Sequence, residues 1–85
     1  MRTFNYTIKD ELGIHARPAG MLAKTAKALD SEITITLGEK TVVATKLMAL
    51  MGMGINCGDT ITVTIDGGDE AASEKAMQSF FEANL

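Results

Sequence analysis

Gly13-Ile14-His15-Ala16-Arg17-Pro18-Ala19-Gly20 contains the only histidine and the only proline of the chain, and a two-residue period gives way there to a helical one. Upstream, Phe4, Tyr6 and Ile8 alternate with Thr3, Asn5 and Thr7, which predicts a half-buried strand over residues 3–8. Downstream, Ala19, Leu22, Ala23, Ala26 and Leu29 recur at helical spacing and predict a helix over about residues 16–28 with that stripe buried. Pro18 fits the first turn, because the N–H it lacks would have had no intrahelical partner there. His15 therefore falls at or next to the N-cap. The unpaired N–H groups and positive dipole end of a first turn form an anion site, and here they meet an imidazole and, two residues on, Arg17.

The remaining elements follow from that junction. Ile33, Ile35 and Leu37 alternate with Thr34 and Thr36 in a second strand, which Gly38-Glu39 turns into a hairpin with residues 40–44. Thr45 is placed to cap a short helix over about 46–51, ended by Gly52 and Gly54. After the Asn56-Cys57-Gly58-Asp59 loop, Ile61, Val63 and Ile65 alternate with Thr60, Thr62 and Thr64 in a fourth strand. Asp69 can cap a last helix running to about residue 83, with Ala72, Ala76, Met77 and Phe80 facing inward. The order β-α-β-β-α-β-α, with one threonine-rich face on every strand, implies an α+β fold of two layers. A sheet with one wet face is usually antiparallel, and three helices would cover its other face. Placing the last strand between the first two gives a split β-α-β unit and the strand order 1-4-2-3.

An 85-residue chain fits a single domain, residues 1–85, with one modest core. The core must be aliphatic and methionine-rich, since the chain has no tryptophan, three phenylalanines and one tyrosine. A formal charge of −3 argues against general nucleic-acid binding. No apolar run approaches the roughly 18 residues of a membrane span, and a lone cysteine, Cys57, agrees with a reducing, cytoplasmic setting. No carboxylate or cysteine cluster has metal-ligand spacing, and no cofactor is implied.

Neutral imidazole is a competent nucleophile, and phosphoryl transfer asks the protein mainly to position the reactants and neutralise charge. His15 is the candidate nucleophile, the Arg17 guanidinium its partner, and the backbone N–H groups of Ala16 and Arg17 the phosphate-binding groups; Pro18 starts the helix. The plain alternative makes His15 a surface residue that merely caps a helix. Arg17, Lys24 and Lys27 fall on one helical face with Gly20 leaving it low between them. That face is either solvated or a steering surface for acidic partners. A six-residue helix cannot bury all of Leu47, Met48 and Met51, so Met48 and Met51, or Leu47 and Met48, are predicted to form an exposed, adaptable patch beside His15.

The segment at 13–19, the Thr-Val-Val-Ala run before a methionine-rich short helix, the Gly54-Ile55 and Gly58 turns and the strand from Thr60 to Ile65 together resemble the HPr family of the bacterial sugar phosphotransferase system. The resemblance covers the whole chain. It implies an open-faced β-sandwich and a cycle in which His15 takes a phosphoryl group on Nδ1 from phosphorylated Enzyme I and passes it to IIA domains of sugar permeases, assisted by Arg17. Such a protein is a monomeric carrier rather than an enzyme. A paralogue in a nitrogen-related or regulatory relay would differ only in partners, and a small metabolite-binding α+β module would leave His15 incidental. In many Gram-positive members of the family a serine opens the short second helix and is phosphorylated by a kinase; here that position is Lys46.

Overall fold

The computed structural model describes residues 1–85 and is organised around its last strand. The elements in chain order are β1 (Arg2–Thr7), α1 (Ala16–Lys27), β2 (Glu32–Leu37), β3 (Lys40–Val43), α2 (Leu47–Gly52), β4 (Thr60–Asp66) and α3 (Glu70–Asn84). β4 lies between β1 and β2 and pairs antiparallel with both, Phe4 opposite Val63 on one side and Ile35 opposite Val63 on the other. β2 and β3 form the hairpin, so the strand order is β1-β4-β2-β3, as the sequence pattern predicts. Gly38 makes the turn with φ of 60°, a left-handed value at which a side chain would be strained.

Alternation decides which face is dry. Ile33, Ile35, Ile61, Val63 and Ile65 are buried, whereas Thr34, Thr36, Thr62 and Thr64 lie on the partly wet face. Hydroxyl pairs cross that face, Thr7 with Thr60 at 2.8 Å and Thr36 with Thr41 at 2.9 Å. The three helices cover the dry face. From α1 come Ala19, Leu22, Ala23 and Ala26, the predicted stripe, with Leu29 beyond the helix half-buried. The small residues let α1 lie close to the sheet. Phe81 fills the other end, with its ring 5.3 Å from Tyr6 and 5.8 Å from Phe80.

Two local expectations are corrected. The buried face of α3 is Ser73, Met77, Phe80 and Phe81, whereas Ala72 is exposed and Ala76 half-buried. Ser73 is buried because it has a partner: its Oγ is 2.8 Å from Ser31 Oγ, which is 2.6 Å from the Gly67 carbonyl oxygen. That pairing removes the penalty for a buried hydroxyl and lets Phe81 turn inward. In α2 the N-cap is Lys46, not Thr45. A turn donates the Lys46 N–H to the Val43 carbonyl, and the Lys46 carbonyl accepts the first helical bond, from Leu50, so the helix begins one residue late.

Candidate functional site at the start of helix α1

The residues before α1 are fixed by main-chain bonds. Asp10 starts a turn: its carbonyl accepts the Gly13 N–H at 2.9 Å and its Oδ1 accepts the Leu12 N–H at 2.9 Å. The N–H groups of Lys9 and Asp10 both donate to the Leu85 carbonyl oxygen, at 2.6 and 3.0 Å. Gly13, at φ 69°, presses against the loop before β4 so closely that a Cβ there would stand 2.2 Å from the Ile55 carbonyl oxygen and 2.7 Å from Asn56 Cα. Ile14 is buried and donates its N–H to the same Ile55 oxygen at 3.0 Å. The chain thus arrives at residue 15 in one place and one direction.

His15 is the N-cap of α1, in extended conformation, and its carbonyl accepts the first helical bond from Ala19 at 2.9 Å. Its side chain makes no capping bond. The N–H groups of Ala16 and Arg17 find no acceptor within the protein, and the first turn carries no acidic residue. Two donors and the dipole end of a twelve-residue helix therefore face outward uncompensated, which is the electrostatic requirement for an anion.

A shallow depression of about 270 Å³ lies over this end, lined by Asp10, His15, Arg17, Pro18, Met21 and Asn84. The imidazole is half-exposed, with Nε2 4.0 Å from Asp10 Oδ1. Arg17 is exposed and forms no ion pair, so its guanidinium is free to reach a ligand; Pro18 is buried beneath. The structure brings His15, Arg17 and Pro18 together. It leaves Gly20, Lys24 and Lys27 outside the depression, farther along α1, with nothing above Gly20 and both lysines exposed in the last turn. There, cations also complement the negative end of the helix dipole.

Leu47, Met48 and Met51 of α2 are all exposed, Met48 to 78%, and only Leu50 of that helix is buried. Met21 and Leu12 are exposed apolar residues as well. Sequence reasoning missed three residues that line the depression: Asp10, Met21 and Asn84. Met21 stands four residues after Arg17, the spacing that places two side chains on one helical face, so it was within reach. Asp10 was signalled by the Asp-x-x-Gly turn it begins. Asn84 carries no local signal, because only the return of α3 brings it to α1; its amide nitrogen is held by the Phe80 carbonyl at 3.0 Å.

The model of the family described as "PTS HPr component phosphorylation site" matches residues 2–83. The chain belongs to the HPr family. The phosphocarrier protein HPr of Mycoplasma capricolum is 40% identical over 79 residues, spanning 93% of this chain and 85% of the relative. Among solved HPr structures, a mycoplasma histidine-containing phosphocarrier protein superposes with a TM-score of 0.89 at 38% identity, covering 93% of this chain and 90% of its own. HPr-C-His from Thermoanaerobacter tengcongensis gives 0.91 at 31% identity, covering 98% and 93%. An HPr dimer from the same organism gives 0.76 at 31% identity, covering 98% and 95%. The open-faced sandwich is thus the HPr fold, and no helix here is long and apolar enough to cross a membrane.

Proposed function

We propose that this HPr-family chain, acting as a monomeric domain over residues 1–85, accepts a phosphoryl group from phosphorylated Enzyme I on Nδ1 of His15 and delivers it to IIA domains of sugar permeases in the cytoplasm. The observation that carries this reading is a half-exposed imidazole, free of any capping bond, at a helix start whose Ala16 and Arg17 N–H groups lack acceptors. Every group the reaction needs comes from one chain. The N–H pair and the Arg17 guanidinium meet the equatorial oxygens of the transferring group, and Pro18 and Gly13 hold the nucleophile in place. One guanidinium and a helix terminus make a light clamp, which suits a carrier that must also release its cargo. The exposed apolar residues of α2, with Met21, Lys24 and Lys27, offer an adaptable and basic-edged surface for several acidic partners. The depression over His15 is open and lined mostly by polar groups, unlike the concave, largely apolar pockets typical of small-molecule sites, which supports the carrier reading.

Incubation with Enzyme I, phosphoenolpyruvate and magnesium should add one phosphoryl group, read by intact mass and by phosphorus NMR as a ring-nitrogen adduct. His15→Ala should remove it entirely while leaving thermal unfolding nearly unchanged, since the imidazole caps nothing. An adduct that persists in the variant, or none with an active Enzyme I, would overturn the reading. Sedimentation of the wild-type chain tests the monomer.

A further inference from the structure

We propose that Asp10 is a positioning residue for His15, its carboxylate holding the imidazole proton on Nε2 and opposing the positive charge the ring acquires on phosphorylation. This rests on the carrier reading above. The carboxylate is itself fixed: Oδ1 accepts the Leu12 N–H at 2.9 Å, and the Asp10 main chain is bonded to Gly13 and Leu85. That same Oδ1 lies 4.0 Å from Nε2, and both side chains are partly sheltered, 38% and 30% exposed. A modest rotation about χ2, a broad torsion for histidine, closes the gap to a hydrogen bond. The other residues lining the depression are Arg17, which is cationic, and Pro18, Met21 and Asn84, which are neutral; Asp10 is therefore the only acceptor there that bears a charge.

A proton held on Nε2 leaves the lone pair on Nδ1. That lone pair forms the N–P bond while the bond from phosphorus to the donor's leaving atom breaks, its electron pair departing with the leaving group. Nε2 keeps its proton throughout and the ring becomes cationic. Asp10 faces that charge from the ring edge opposite the phosphorus, and Arg17 and the helix start serve the anionic side.

The test uses two variants and two measurements. Asp10→Asn keeps an acceptor for both Leu12 and Nε2 but carries no charge, whereas Asp10→Ala removes both acceptor and charge. Long-range ¹H–¹⁵N spectra at about pH 9, where a histidine is ordinarily neutral, report the tautomer without any phosphoryl donor. Wild type and Asp10→Asn should show His15 protonated on Nε2, and Asp10→Ala a shift toward the other tautomer. Phosphoramidate supplies a phosphoryl group without a partner protein: Nδ1 attacks phosphorus and ammonia leaves with the electron pair of the P–N bond. Its rate of adduct formation should fall about fivefold in both variants, as befits a partly exposed charge pair. Unchanged ¹⁵N shifts in Asp10→Ala, or a wild-type rate in Asp10→Asn, would overturn the proposal. Failure of the carrier reading would appear separately, as a wild-type protein that gains no adduct on His15 at all.

Discussion

Two helices of this protein begin in opposite ways. At α3, Asp69 caps through its side chain, accepting the Ala72 N–H at 3.2 Å, and Glu70 in the first turn accepts the Gly67 N–H at 2.7 Å and pairs with the Met1 ammonium at 2.9 Å. The positive end of α3 is answered by its own side chains. At α1 the N-cap side chain bonds nothing, no acid stands in the first turn, and position is imposed from outside by Gly13 and Ile14 against the Ile55 carbonyl. One start is satisfied by side chains of the fold; at the other, the Ala16 and Arg17 N–H groups have no acceptor within the protein. An unsatisfied helix end at the surface costs little, because water can meet the donors.

The sharpest way to break this contrast is at Gly13. Gly13→Ala forces a left-handed residue and a Cβ into backbone atoms that cannot yield, and should destabilise the protein by roughly 2–3 kcal/mol in urea denaturation. It should also slow phosphoryl acceptance, since the ground beneath His15 moves. Asp69→Ala should cost about 1 kcal/mol of stability and leave the rate of adduct formation untouched. A loss of phosphoryl acceptance there would mean the two helix ends are coupled.

The smallest effect is a pH dependence confined to α3. Glu70 is held below the usual carboxylate range chiefly by its hydrogen bond with the Met1 ammonium, then by the Gly67 N–H, with the positive charges of Met1 and Arg2 adding to this against a small desolvation effect. A folded value below the unfolded one means stability that is present above the unfolded value of 4.5 and is lost as pH falls through the folded value. Glu70→Gln should flatten that acid limb in denaturation measured at several pH values, with no change at α1.

What could be read from the chain divides along similar lines. Element order and the antiparallel sheet with one wet face were legible because β2 and β4 alternate isoleucine or valine with threonine and β1 alternates aromatic with polar residues. The place of β4 between β1 and β2 followed from a split β-α-β arrangement and not from that alternation. The placement of His15 and Arg17 at the start of α1 was legible because a lone proline marks where the helix begins. The inward face of α3 was misread, since Ser73 reads as a surface residue until Ser31, forty-two positions earlier, is brought beside it. Thr45 looked like a cap because hydroxyls favour caps; the Val43 to Lys46 turn shifted the start of α2. Asn84 belongs to the depression through tertiary approach alone, whereas Asp10 is set beside His15 by the local turn it begins.

The central place of β4 also governs when the molecule can come into being. β1 has no partner but β4, Arg2 lying opposite Ile65 and Thr7 opposite Thr60, and β2 needs the same strand on its other side. A nascent chain emerging from the ribosome can close the β2–β3 hairpin early, because its loop is short. It must carry β1 as an unsheltered strand until Thr60–Asp66 has been made. At about 5–20 residues per second that interval lasts several seconds. The threonines and Asn5 spaced along β1 keep it wettable over that time, so the same hydroxyls that dress the finished sheet also guard its first strand against premature pairing with other chains.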